Sequence, residues 1–179
     1  MKIRKRILGV VLAATLVVSQ AVCVFAAGSK AATAGISQEF KDTYDAETVT
    51  KDTLNNIPDD KMSQEEKAVA EKFLSGDVAG AIELLKETNP EVAKALEEYK
   101  DVLTMQHIKD LSKAVKNKDG KYEIGFSLPN KTDDTEAIVL NFGFNTQKWE
   151  ISKLKGKDNQ NLKAELADPG LATVLAKKK

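Results

Sequence analysis

The sequence predicts an α+β protein: a small N-terminal helical lobe followed by a five- to six-stranded antiparallel β-sandwich-like domain. Three observations carry this. Capped apolar stripes at three- and four-residue spacing fill residues 62–99. From Gly120 onward, apolar residues alternate with polar ones at a period of two. Polar turns at Asn130–Thr135, Asn145–Lys148 and Asp168-Pro169-Gly170 then divide the second half into short segments, and short strands separated by such turns build a small sandwich or barrel.

The chain opens with a basic head, Lys2, Arg4, Lys5 and Arg6, followed by an uncharged run from Ile7 to Val24. This is the pattern of a secretory signal. The run from Ile7 to Val18, before Ser19 and Gln20 interrupt it, is twelve residues long, against about 20 for a comfortable bilayer span. Val24-Phe25-Ala26 has the small or β-branched residues that favour cleavage after Ala26. The expectation is a signal peptide at 1–26 and an extracellular mature chain. Gln20-Ala21-Val22 before Cys23 is a poor lipidation motif, so release is expected rather than a lipid anchor, and cleavage removes the only cysteine.

Residues 27–61 are rich in Ala, Thr, Asp, Ser and Asn and read as a flexible leader, with a short helix around Gln38–Tyr44. The helical lobe spans 62–99. Ser63-Gln64-Glu65-Glu66 reads as a capping box, with Val69, Phe73 and Leu74 as the buried stripe and Gly76 as a left-handed stop. Asp77 caps a second helix carrying Val78, Ile82 and Leu85. Asn89-Pro90 opens a third with Val92, Leu96 and Tyr99.

Residues 100–179 are assigned to the β-domain. Within them, 100–115 are ambiguous. Leu103, His107, Leu111 and Val115 continue a helical stripe, whereas Val102–Ile108 can equally be a strand. Tyr122, Ile124, Phe126 and Leu128 then alternate on one strand. Ile138, Leu140, Phe142 and Phe144 line one face of the next, with Val139, Asn141 and Gly143 on the other. Trp149 and Ile151 return after a hairpin turn; Leu162, Ala164 and Leu166, then Leu171, Thr173 and Leu175, suggest two more strands. The alternative architecture is a helix packed across one curved antiparallel sheet, as in cystatin-like folds.

The stretches Asp119-Gly120-Lys121-Tyr122-Glu123-Ile124, Val139-Leu140-Asn141-Phe142 and Lys148-Trp149-Glu150-Ile151 resemble a recurrent module of exported proteins from clostridial Gram-positive bacteria. The resemblance covers about residues 100–176. It implies a strand ahead of Tyr122 and a location at or outside the cell envelope, and it carries no established activity. The closing motif of that module is matched only loosely, by Asp168-Pro169-Gly170-Leu171-Ala172.

Charge narrows the function classes. The whole chain has 27 basic and 27 acidic residues; without the four basic residues of 1–26 the mature chain is −4. Such a surface does not suit nucleic acid. Lys177-Lys178-Lys179 makes a basic tail that could approach an anionic wall, though a charged terminus is ordinarily just solvated.

His107 is the only histidine, which excludes a multi-histidine metal site. With Asp110 and Ser112 it makes the one imaginable catalytic group, and a helix there would bring His107 and Asp110 together. The carboxylate pairs Glu65-Glu66, Glu97-Glu98 and Asp133-Asp134, and the Asp158-Asn159-Gln160-Asn161 loop, lack the convergence of a glycosidase or the spacing of a calcium loop. Trp149, Phe142, Phe144 and Tyr122 could stack on sugar rings, but their period-two placement reads first as core. No catalytic, metal or cofactor residue is therefore assigned. The expectation is a secreted, non-catalytic binding module whose candidate partners are a wall polymer, a glycan or an extracellular protein. A small exported hydrolase using His107 is the alternative.

Overall fold

The computed structural model describes residues 35–36, 46–100, 104–105, 107–129, 131–156 and 159–179. The signal segment with Cys23, and the helix expected around Gln38–Tyr44, lie outside them. In chain order the described elements are β1 (Gly35–Ile36), β2 (Glu47–Thr48), α1 (Lys51–Asn55), α2 (Gln64–Leu74), α3 (Val78–Thr88) and α4 (Pro90–Leu96). A 3₁₀ turn at Glu97–Tyr99 follows, and then β3 (Thr104–Met105), β4 (Lys109–Asp110), β5 (Tyr122–Ser127), β6 (Thr135–Gly143), β7 (Lys148–Lys153), β8 (Leu162–Leu166) and β9 (Gly170–Lys178).

Each helix starts on a side chain that satisfies a free amide. Thr50 and Thr53 form a reciprocal box at α1. Ser63 accepts from Glu66 N at 3.3 Å, Asp77 from Gly80 N at 2.8 Å, and Asn89 from Val92 N at 3.4 Å. Gly76 takes φ 78 after α2, a left-handed conformation that costs glycine little. The box expected at Ser63 is only half formed, because the Glu66 carboxylate faces the sheet instead. Residues 46–61 also differ from the leader expected there: they carry β2 and α1, with Val49 and Leu54 buried.

The strands form two antiparallel sheets. The larger has the order β2-β4-β9-β6-β7, with β3 also on β9; the smaller is β1-β5-β8. The ambiguous stretch after Tyr99 therefore carries two short strands, β3 and β4, with turns at Lys100 and at Ser112–Lys113. Met105 lies opposite Leu175 and Lys109 opposite Ala172, so four steps on one strand face three on the other. That offset is a β-bulge. At the opposite edge β7 leaves the large sheet for the small one: Lys155 and Lys163 exchange backbone hydrogen bonds of 2.8 and 2.7 Å.

Side chains alternate across β6 and β9, and both faces are covered. Ile138, Leu140, Phe142, Leu171 and Leu175 pack with Trp149 against Val69, Phe73, Ile82, Leu85 and Leu96 of the helices. Ala137, Val139, Ala172, Val174 and Ala176 pack against Ile124, Phe126, Leu128, Leu162 and Leu166 of the small sheet. The architecture is thus three layers: helices, large sheet, small sheet. Antiparallel strands commonly leave one face to water; here the residues Ala137–Gly143 and Gly170–Ala176 are all buried.

Phe142 is fully buried, with its ring centroid 5.2 Å from that of Trp149. Replacing Phe142 by Ala is expected to lower unfolding free energy by about 3–5 kcal/mol, measured by urea denaturation. A loss below about 1 kcal/mol would mean that the helix–sheet seam is not packed as described.

Candidate functional site

At one end of the central sheet a set of side-chain hydrogen bonds gathers around the β6–β7 turn. Gly143 and Gly170 face each other across β6 and β9, and both positions require a bare backbone. A Cβ on Gly170 would lie 2.0 Å from Phe142 O, and one on Gly143 would lie 2.6 Å from Asp168 Oδ2. The space above Gly143 is filled by the Asp168 carboxylate, which is buried.

That carboxylate holds the β6–β7 turn. Asp168 Oδ2 accepts from Asn145 N at 2.6 Å, Thr146 N at 2.7 Å and the Thr146 hydroxyl at 3.3 Å, while Oδ1 accepts from Asn145 Nδ2 at 2.6 Å. The turn closes with Gln147 N donating to Gly143 O at 2.8 Å. Gln147 itself is left-handed at φ 54, an uncommon conformation for a residue with a side chain. Its Nε2 donates to Asp60 O at 2.6 Å, which ties the turn to the segment before α2. Beneath it, Asn141 Nδ2 donates to Asp168 O at 2.8 Å, whereas Asn141 Oδ1 is buried without a partner.

Burial pushes the Asp168 pKa up, but the Thr146 and Asn145 donors outweigh it and hold the group below its ordinary 3.8. Its contribution to stability is complete above the unfolded value and is lost as pH falls through the lower folded value.

Glu66 has the opposite sign. Its half-buried carboxylate accepts from the Trp149 indole N–H, and Asn89 Nδ2 donates to Trp149 O at 3.0 Å, so α2 and α4 both hold β7 by this one residue. Burial raises the Glu66 pKa above its ordinary 4.5, against the lowering effect of the Trp149 and Thr88 donors. The charged form is the disfavoured one, so Glu66 weakens the fold as pH rises from the unfolded value through the higher folded value.

The other candidates are scattered. His107 is exposed, in the bulge between β3 and β4. Asp110 accepts instead from Ser112 N at 2.8 Å, and the helix that would bring it to His107 is absent from the described part of this stretch. Phe142 and Trp149 are buried in the core, with Phe144 and Tyr122 half-buried, so they form no sugar-stacking platform. Of the carboxylate pairs, Glu97 meets Lys86 at 3.2 Å and Glu98 meets Lys177. Lys177, expected in a solvated tail, also lies 4.9 Å over the Tyr99 ring. Asp158 lies outside the described residues. Among those described, no group of three or more His, Cys, Asp or Glu side chains could hold a metal ion, and no helix is long and apolar enough to cross a membrane.

The two carboxylates are separable by experiment. Asp168→Asn is expected to lower stability at pH 7 by about 1–3 kcal/mol, with the deficit shrinking in acid as the wild-type carboxylate protonates. Glu66→Gln keeps an acceptor for the indole and is expected not to lower Tm at pH 7, while removing the loss of wild-type stability on the alkaline side of pH 4.5. Thermal melts across a pH series test both; matching pH profiles for the two variants would contradict the assignment.

No family model, curated protein or solved structure matches the chain.

Proposed function

We propose that the chain is an exported, non-catalytic binding module that works at or near the cell envelope, and that the β6–β7 turn is its contact surface. The observation that carries this reading is the locked turn: Asn145, Thr146 and Gln147 are exposed, yet Asp168 and Asp60 fix them from below. Exposed loops on rigid scaffolds are where recognition concentrates, and a turn already in its bound conformation loses little entropy on association. The basic head and apolar run of residues 1–26 support export. Wall polymer, glycan and extracellular protein remain the candidate partners. The hydrolase alternative asks more of His107, an exposed side chain whose neighbours Asp110 and Ser112 are bonded to each other.

The test is a pull-down with the mature chain, residues 27–179, against purified wall, glycan and secreted-protein fractions. Enrichment is expected in one fraction, reduced at least fivefold by Gln147→Ala and unchanged by His107→Ala. Failure to enrich anything at micromolar protein would overturn the reading.

A further inference from the structure

The capping box read at Ser63-Gln64-Glu65-Glu66 is left half made by the fold. Ser63 takes the Glu66 amide at 3.3 Å, but the Glu66 carboxylate turns inward to the Trp149 indole N–H. In a complete box the carboxylate of the third helical residue takes the N–H of the cap residue. The Ser63 N–H has no acceptor among the described residues. α1 shows the complete form, with the Thr50 N–H donating to the Thr53 hydroxyl at 2.8 Å. Glu66 therefore has two acceptor positions open to it, one in the helix–sheet seam and one at the helix start, and it is only half-buried.

Charge decides between the two. In the seam the carboxylate is partly desolvated, its donors are the neutral Trp149 and Thr88 groups, and the charge acting on it is that of Glu65, which repels it. Charged groups on the neighbouring elements are engaged elsewhere. Lys51 of α1 pairs with Glu71, Lys86 of α3 pairs with Glu83 and Glu97, and Glu91 and Lys94 of α4 are exposed. On β7, Lys148 and Glu150 flank Trp149 and so lie on the other strand face. Burial disfavours the charged form. At the capping position the same carboxylate meets water, a free amide and the positive end of the α2 dipole, all of which favour the charge. A neutral carboxyl has the reverse preference, because leaving the seam strands a buried indole N–H. Trp149 itself stays in place: Asn89 holds its carbonyl at 3.0 Å, and Phe73 and Phe142 hold its ring.

We propose that Glu66 is a two-position, proton-driven latch. Protonated, it stays on the Trp149 indole and holds α2 to β7; ionised, it turns outward to the Ser63 N–H and completes the capping box. The bistable element is one side chain, and its two positions couple the acidity of the surroundings to the grip of the helix layer on the sheet.

The experiment is a ¹⁵N–¹H NMR titration of the mature chain, residues 27–179, following the Trp149 indole N–H and the Ser63 amide. Both are expected to shift with one common midpoint above 4.5, the ordinary value of the carboxyl group. As pH rises the indole moves upfield on losing its acceptor, and the Ser63 amide moves downfield on gaining one. Glu65 is held below its ordinary 4.5 by its own amide and by Ser63, so its titration is a separate step. Glu66→Gln, which keeps an acceptor in the seam, should abolish the upper step at both sites. Glu65→Gln, which removes the repelling charge, should lower the midpoint and keep the step. A Ser63 amide that is silent while the indole shifts, a midpoint at or below 4.5, or an upper step that survives Glu66→Gln would overturn the proposal.

Discussion

The constraint on which the rest depends is that strands β6 and β9 are predominantly apolar and buried on both faces. Neither face can be left to water. Each fully buried Leu, Val or Phe contributes about 1.5–3 kcal/mol only if something covers it, and Leu140, Phe142, Leu171 and Leu175 point away from the small sheet. The helices are that cover. α2, α3 and α4 are each too short to persist alone, so helices and large sheet require one another. The small sheet completes the other side through Ile124, Phe126 and Leu162.

The same constraint explains where the polar groups lie. Within so apolar a sheet a polar side chain needs a partner, and those at the seams have structural work. Trp149 brings an indole N–H into the helix–sheet seam, and Glu66 accepts it at the expense of the capping box. At the end of the sheet Asp168 takes the amides of the turn that joins β6 to β7. One carboxylate is weakened by its burial and the other is strengthened by its donors. The second also shapes the turn proposed for binding.

Much of the fold was legible in the sequence because its signals are local. Asp77, Gly76 and Asn89-Pro90 mark helix ends by the chemistry of their own side chains and backbones, and the alternation at Tyr122–Leu128 follows from the pleat alone. What was not legible depends on distant partners. The run Ala137–Phe142 shows two faces but not what covers each. Residues 46–61 have few apolar positions, yet Val49 and Leu54 suffice once a sheet edge and α2 are there to receive them. The bulge near His107 is visible only as a register offset against β9. The Asp168 turn clamp joins residues 22 and 23 positions apart, and no local pattern marks it.

The central claim is that the helices are a layer of one core rather than a lobe of their own. Equilibrium urea unfolding of residues 27–179 tests it most directly, followed at once by helical circular dichroism and by fluorescence of Trp149, the only tryptophan. A shared core predicts one transition with coincident midpoints and slopes. Helical signal lost at lower urea, with the β-sheet signal in circular dichroism persisting, would contradict it.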